Sequence, residues 1–264
     1  MVSKPKISVI VTIYNNGDVL EKCLKSIRGQ TFKDFELIVV DESSKDNGPA
    51  IAKKYADRFI NQGIERCQQR NAGADNAKTD YLLFVDPDME LPPRILNEIS
   101  DLLDSGKLIM IPEVSFGKGF WAKCKNFERA MYRGGNIAQL PRVFPKKIFD
   151  VAGGFDDKMV GTEDLDLFYR IMRKNKNLKL IETKNVIHHN EGRLTYYKIV
   201  KRMVVFSKSL KEYKRRYPRM LRKQMSPLRY ISNLNHFIKH PILTMGFVIM
   251  KGSEWFTIFI FTRH

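Results

Sequence analysis

The run YLLFVDPDME, residues 81–90, carries a buried-strand pattern straight into two carboxylates, Asp86 and Asp88, with Pro87 between them. In an extended chain residues i and i+2 point to the same face, so the two carboxylates can aim at one point. Pro87 fixes its own φ and keeps Asp86 extended while it ends the strand ladder. Two hard oxygen donors at one spot suit Mg²⁺ or Mn²⁺, ions that complete their shells with water and substrate phosphates. The bland alternative is a solvated turn after a strand. A second acidic pair, Asp41-Glu42, follows the run FELIVV and precedes Ser43 and Ser44. An acid at a strand end can accept from a ribose hydroxyl or a base N–H, or it can cap a helix. The first apolar run closes on Thr12, Tyr14 and Asn15, whose ring and amide could stack on or bond to a base. Arg70 could reach a phosphate, or lie on the surface. Glu163 and Asp164, in GTEDLD, favour a helix N-terminus behind the cap residue Thr162. Their functional alternative is a general base that removes a proton from an acceptor hydroxyl.

These residues need a frame that gathers strand ends. ISVIVTIYN (7–15) reads as a buried strand rich in β-branched residues. GDVLEKCLKSIRGQ (17–30) places Val19, Leu20, Cys23, Leu24 and Ile27 at helical spacing, stopped by Gly29. FELIVVDESSKD (35–46) is a second strand running into a polar turn. A short helix (NGPAIAKKYAD), a short strand (RFINQ), a helix over 65–80 and the strand YLLFV follow. Strands alternating with helices over the first 90 residues predict a parallel sheet with right-handed crossovers. Ligands of such sheets bind beyond the carboxyl ends of the strands, which is where Asn15, Asp41 and Asp88 fall. From residue 92 the pattern loosens. PPRILNEISDLLDSG reads as a helix, LIMIPEVSFGKGF as a strand and then a glycine-rich loop, and WAKCKNFERAMYRGG as a helix. QLPRVFPKKIFDVAGGFDD reads as extended up to a turn at Gly153-Gly154, and residues 162–175 as an amphipathic helix.

The 264 residues carry a formal net charge of +17, and its distribution is uneven. Residues 1–164 hold 24 basic and 24 acidic side chains, whereas residues 165–264 hold 22 basic and 5 acidic. A neutral domain followed by a cationic surface predicts an anionic partner. Cys23, Cys67 and Cys124 are odd in number and widely spaced, which argues against a disulfide framework or zinc site and fits a reducing compartment. The apolar run 7–13 is too short for a signal-peptide core. Residues 242–262 approach the length of a membrane span, but Lys251, Gly252, Ser253 and Glu254 interrupt them.

Taken in order, these pieces resemble the family 2 glycosyltransferases, inverting enzymes of the GT-A fold, over roughly residues 5–195. ISVIVTIYNN is similar to the family's first nucleotide-binding strand. FELIVVDESSKD resembles its Asp-Asp-Gly-Ser-x-Asp element, with Glu42 and Ser43 in place of the second Asp and the Gly. RNAGADNAKTDYLLFVDPDM resembles the Arg-Asn-x-Gly helix leading to the DXD motif. VAGGFDD and TED resemble the Gly-Gly-Phe-Asp acceptor segment and the catalytic Glu-Asp. The resemblance implies a Rossmann-like nucleotide-binding mixed α/β sheet flanked by helices, followed by a basic, mainly helical extension. It divides the chain into a 1–195 domain, with a nucleotide-binding half (1–91) and an acceptor half (92–195), and a 196–264 extension. It also implies roles. Asp41 contacts the nucleotide, Asp86 the ribose or the metal shell, and Asp88 the Mn²⁺ or Mg²⁺ directly. Asp164 is the base, and Glu163 positions or binds the acceptor. In VIHHNEGR, His189 rather than His188 approaches the metal or diphosphate.

The implied reaction moves a sugar from a nucleotide-sugar donor to a hydroxyl acceptor, a lipid-linked or cell-surface glycan. Residues 195–223 alternate cations with Tyr, Val, Met and Phe, and HPILTMGFVIMKGSEWFTIFIFTRH adds clustered aromatics. This composition suits peripheral attachment to the cytoplasmic face of an anionic membrane. No nucleic-acid-binding motif accompanies the charge. Two alternatives are a nucleotidyltransferase and a non-catalytic cationic scaffold on membrane or nucleic acid. TIYNNGDVLEKC lacks the glycine-rich loop expected of the former, and the latter predicts no sugar-nucleotide binding.

Overall fold

The structure is a computed structural model that describes residues 6–131, 140–207, 209–228, 230 and 234–262. Along the chain run β1 (Ile7–Ile13), α1 (Gly17–Arg28), β2 (Phe35–Asp41), α2 (Gly48–Tyr55), β3 (Arg58–Asn61), α3 (Arg66–Asp75) and β4 (Tyr81–Val85). Then come β5 (Met89–Glu90), α4 (Ile95–Leu102), β6 (Lys107–Met110), β7 (Glu113–Lys118), α5 (Phe120–Ala130), β8 (Pro141–Pro145) and α6 (Lys146–Ala152). The remainder is α7 (Glu163–Lys174), β9 (Lys179–Glu182), β10 (Ile187–Arg193), α8 (Tyr196–Ser207), α9 (Leu210–Arg216), α10 (Pro218–Met225), α11 (Leu234–Lys239) and α12 (Pro241–Thr262). Two compact units share these elements. One takes Met1–Glu113, Leu140–Asp157 and Leu167–His189, and the other Val114–Gln139, Lys158–Asp166 and Asn190–His264.

The first unit is built on a seven-stranded sheet of order β3-β2-β1-β4-β8-β6-β9. β1 pairs in parallel with β2 on one side and β4 on the other, and β2 pairs in parallel with β3. β8 runs antiparallel to both β4 and β6, so the sheet is mixed. Strand parity sorts the core onto two faces. Val9, Val11, Leu37, Val39 and Leu83 pack with α1, α2 and α4, while Ile10, Ile38, Val40, Leu82 and Phe84 pack with α3, α6 and the later half of α7. Because β2 and β4 flank β1 on opposite sides, a crevice opens beyond the carboxyl end of β1, the switch point where α/β sheets bind ligands.

Two local expectations are corrected. KKIFDVA is helical rather than extended: α6 buries Phe149 and Ala152, and Gly153 ends it in the left-handed conformation at φ 84°. Its β-branched Val151 faces solvent at 64% exposure. In LIMIPEVSFGKGF, a second strand, β7, runs on to Lys118, into the stretch expected as a glycine-rich loop. The part of the expected helix that falls on residues 132–135 lies outside the described residues.

The second unit is mainly helical. α12 packs along α5, α8 and α9. Lys251–Glu254, which interrupt its apolar run, lie within the helix, and the two charges are paired inside the unit. Lys251 Nζ lies 2.5 Å from Glu128 Oε1 and 2.5 Å from Glu254 Oε2. Among the described residues α12 is the one helix long and apolar enough, by length and composition, to cross a membrane.

Candidate active site

The loops beyond β1 and β2 are tied to each other by short polar side chains. Asn15 N–H donates to Ser44 Oγ (2.8 Å), Lys45 N–H to Asn15 Oδ1 (2.8 Å) and Gly17 N–H to Asp46 Oδ2 (2.7 Å). Asp41 is buried at the end of β2 and accepts from the Ser44 N–H (3.1 Å) and hydroxyl (2.5 Å). Its carboxylate thus shapes the crevice edge through Ser44. Asn15 and Ser43 hold positive φ of 51° and 59°, a cost concentrated at the crevice. Tyr14 is 54% exposed there, whereas Thr12 is buried within β1. Glu42 sits half-buried, and burial, then Glu65 and Asp41, raise its carboxyl above the ordinary value.

Asp86 and Asp88 do not lie on an extended chain. Met89 N–H donates to Asp86 O at 3.1 Å, closing a turn over residues 86–89. Asp in the first position and Pro in the second is a favoured turn pairing. The turn sends the two carboxylates to different partners. Asp86 receives Arg70 Nη2 at 2.8 Å on one oxygen and Arg142, from β8, at 3.4 Å on the other. Burial would raise this carboxyl, but Arg70, Arg142, Arg66 and His189 outweigh it and hold it well below the usual carboxylate range. Arg70 is itself buried and lies over the Phe155 ring, 5.1 Å from its centroid. Cys23 Sγ contacts Asp86 O at 3.6 Å, and burial, then Asp88 and Asp86, push its thiol up.

Asp88 faces β10 instead. β10 pairs antiparallel with β5, His189 opposite Met89. The exposed His188 points away, while His189 Nε2 lies 3.3 Å from Asp88 Oδ2. His189 Nδ1 lies 3.1 Å from Glu113 Oε2. Each ring nitrogen thus faces a carboxylate oxygen, Nδ1 that of Glu113 and Nε2 that of Asp88. Glu113 is held in turn by Arg142, whose Nε donates to Glu113 Oε1 at 3.0 Å. A closed circuit, Asp86–Arg142–Glu113–His189–Asp88, therefore joins the two aspartates. A carboxylate oxygen and an imidazole nitrogen, the latter oriented by a second carboxylate, fit a divalent ion that also needs donor oxygens. Asp86 is engaged by two arginines. Among the described residues, three ligand-type atoms approach within 4.8 Å of one another only at Glu65, Cys67 and Asp157. There Glu65 caps α3 and Asp157 accepts from Gln68.

Glu163 and Asp164 open α7 and belong to the second unit. Thr162 O accepts the Asp166 N–H at 3.0 Å, and the Thr162 hydroxyl lies 2.8 Å from Ser209 Oγ. Glu163 is buried and Asp164 half-buried. The fully buried acid is Asp166, paired with Arg216 (3.1 Å) and the Tyr217 hydroxyl (2.8 Å).

The Arg-Asn-x-Gly helix and its surroundings supply further bonds, and among these residues Gln69, Arg142 and Glu113 were not anticipated. Gln69 donates to the carbonyls of Ile13 (2.8 Å) and Val40 (3.2 Å), joining the ends of β1 and β2. Asn71 bonds Phe155 through both its N–H₂ and its carbonyl oxygen (2.8 and 2.9 Å). Gly73 lets α3 rest on β1, since a Cβ there would lie 2.5 Å from Ile10 Cγ2. Arg142 and Glu113 had no sequence signal beyond being charged residues in apolar strands.

The profile of the family described as Glycosyl transferase family 2 matches residues 8–155, more than half of the chain. Poly(ribitol-phosphate) beta-N-acetylglucosaminyltransferase TarP of Staphylococcus aureus (strain N315) is 30% identical over 173 residues, 55% of this chain and 50% of that protein. GalNAc(5)-diNAcBac-PP-undecaprenol beta-1,3-glucosyltransferase of Campylobacter jejuni is 36% identical over 110 residues, 39% of this chain and 36% of that one. The chain thus spans about half, or less, of the length of these relatives. Among solved structures, mannosyltransferase PcManGT from Pyrobaculum calidifontis, in complex with GDP-Man and Mn²⁺, superposes with a TM-score of 0.60 at 16% identity, covering 97% of this chain and 74% of that one. S. aureus TarS 1–349 in complex with UDP-GlcNAc does so at 0.57 and 16%, covering 97% and 90%. The fold is that of these proteins, and by sequence the chain belongs to glycosyl transferase family 2.

Proposed function

We propose that the protein is a metal-dependent inverting glycosyltransferase that moves a sugar from a nucleotide-sugar donor to a hydroxyl of a lipid-linked or surface glycan. The observation that carries this reading is the Asp88–His189 pair, oriented by Glu113, in the same unit as the crevice lined by Tyr14 and Asp41. Asp41 and Tyr14 meet the nucleoside, and Asp88 and His189 hold Mn²⁺ or Mg²⁺. The ion, when bound, offsets charge on the leaving diphosphate. Asp164 takes the acceptor hydroxyl proton as that oxygen bonds to the anomeric carbon. The carbon–oxygen bond to the diphosphate breaks, and the diphosphate leaves with the electron pair on the opposite face. Glu163 positions the acceptor. A thermal-shift screen of UDP-, GDP- and dTDP-sugars with and without Mn²⁺ tests the reading, and a flat response throughout would end it.

The same reading places the protein on the cytoplasmic face of an anionic membrane. Supporting it, α12 buries Phe247, Met250 and Ile258 and exposes Ile242, Met245, Val248 and Phe256, at 59–68%. This outer apolar stripe lies in the part of the chain that carries all of the excess positive charge. Serine at these four positions should abolish flotation with anionic liposomes.

A further inference from the structure

The second unit contains a cavity of about 380 Å³ walled by α5, α8, α10 and α12. That is within the range of about 300–1,000 Å³ usual for small-ligand sites. The larger part of its wall is apolar, including Phe206, Leu221 and Ile258 and the three methionines Met203, Met225 and Met250, and charged and polar side chains supply the rest. Unbranched thioethers adapt to irregular or linear apolar ligands. The charged groups that reach the cavity are spent on one another or on neighbours. Lys251 lies between Glu128 and Glu254 (2.5 Å each), Lys125 meets Glu128 (2.8 Å) and Arg202 meets Glu191 (2.6 Å). Such a lining selects hydrocarbon.

The place of the cavity matters as much as its chemistry. Leu165, the residue after Asp164, forms part of its wall. The segment that presents Asp164 is also bolted to α8, which helps wall the cavity, and to α9. Gly161, at φ 89°, packs so closely on α8 that a Cβ there would lie 2.8 Å from Phe206 Cα. Thr162 bonds Ser209, and Asp166 bonds Arg216 and Tyr217. Leu165 directly follows Asp164 on α7, so a chain seated against Leu165 lies beside the segment that presents Asp164.

We infer that this cavity binds the hydrocarbon chain of a lipid-linked acceptor, isoprenoid or acyl, and so delivers its sugar hydroxyl to Asp164. The inference rests on the transferase reading above and names the acceptor's anchoring group. The occupant is a lipid chain because the lining is apolar with its charges closed, and because it lies in the cationic part of the chain, where an anionic membrane that stores such acceptors would meet it.

The test uses the full chain and the fluorescent apolar probe N-phenyl-1-naphthylamine. Saturable binding is expected, displaced by farnesyl phosphate or dodecyl phosphate but not by inorganic phosphate. The stronger of the two competitors identifies an isoprenoid or an acyl source. Met203→Trp and Leu221→Trp, which fill the cavity, should weaken probe binding at least tenfold while the donor-induced thermal shift is retained. If neither variant folds, photolabelling of the wild type with a diazirine-bearing alkyl phosphate supplies the second readout, with label expected on Met203, Met225 or Met250. Absence of saturable probe binding, wild-type binding by both folded variants, or label confined to the outer face of α12 would overturn the inference. In each of those cases an intact Mn²⁺-dependent donor shift would leave the transferase reading standing. Chain binding without any donor shift would remove the acceptor role and the transferase reading together.

Discussion

Asp86→Asn keeps the shape of the side chain and removes its charge, and Asp88→Asn is the matched control. Asp86 meets Arg70 at 2.8 Å and Arg142 at 3.4 Å, and the Arg70 side chain is only 4% exposed. Removing one partner of a fully buried ion pair costs about 3–5 kcal/mol. Here the Asp86 side chain retains 20% exposure, Arg142 retains Glu113, and the asparagine oxygen still accepts a bond. What is lost is the charge-assisted part, about 1.5–3 kcal/mol. Asp88 is 28% exposed and faces His189 at 3.3 Å, a partly solvated pair that contributes about 0–1 kcal/mol. At about 2–4 °C per kcal/mol for a chain of this size, Asp86→Asn should melt roughly 3–12 °C below the wild type in metal-free buffer. Asp88→Asn should melt within about 4 °C of it. Calorimetric titration with Mn²⁺ completes the assay: Asp88→Asn should lose binding, and Asp86→Asn should keep most of it. If Asp88→Asn melts as low as Asp86→Asn, or if Asp86→Asn melts normally but no longer binds Mn²⁺, the division of labour between the two carboxylates is wrong.

Glu113→Ala frees the His189 ring and should weaken Mn²⁺ binding by about 10–100-fold; Glu113→Gln, whose amide oxygen can still accept from Nδ1–H, should recover most of it, and alanine binding like wild type would refute the orienting role. Gly73→Ala forces a methyl to 2.5 Å from Ile10 Cγ2 and should cost about 1–3 kcal/mol despite alanine's better helix propensity, as read from urea midpoints. Burial alone would raise the Glu128 carboxyl, but Lys125 and Lys251 outweigh it and hold it below the usual range. Its stabilisation is therefore present above the unfolded value near 4.5 and drains away as pH falls below it. Glu128→Gln should accordingly show a shallower fall of Tm between about pH 6 and 3 than wild type, and parallel profiles would count against the assignment.

The strand ends were legible because each carries a local signature. Apolar runs stop at Asp41 and at Asp86, and parity alone sorts Val9 and Ile10 onto opposite faces. For the DXD segment the sequence left two geometries open, an extended chain that aims both carboxylates at one point and a turn after the strand. The structure has the turn: a proline after an aspartate serves equally as the second residue of a turn, and local sequence does not choose between the two. The choice is made by Arg70 and Arg142, which draw Asp86 inward, and by His189, which faces Asp88. Arg142 and Glu113 were invisible because they are 29 residues apart in the chain and meet only once β8 lies beside β6. Gln69 looked like an ordinary polar helix residue, Asn71 was marked only by its motif, and the register of α3 against β1, β2 and the Phe155 segment gives both their bonds.

That short helix has a consequence for how the protein can vary. Within five positions, Gln69 reaches two strand ends, Arg70 reaches Asp86, Asn71 reaches Phe155 and Gly73 touches the sheet itself. Each position answers to a different part of the unit, so no single neighbouring change can compensate for two of them. A saturation-mutagenesis map should show residues 69–73 as a narrow island of intolerance. The exposed Tyr14, a few ångströms of backbone from equally constrained loops, should be the place where variants with altered donor preference accumulate.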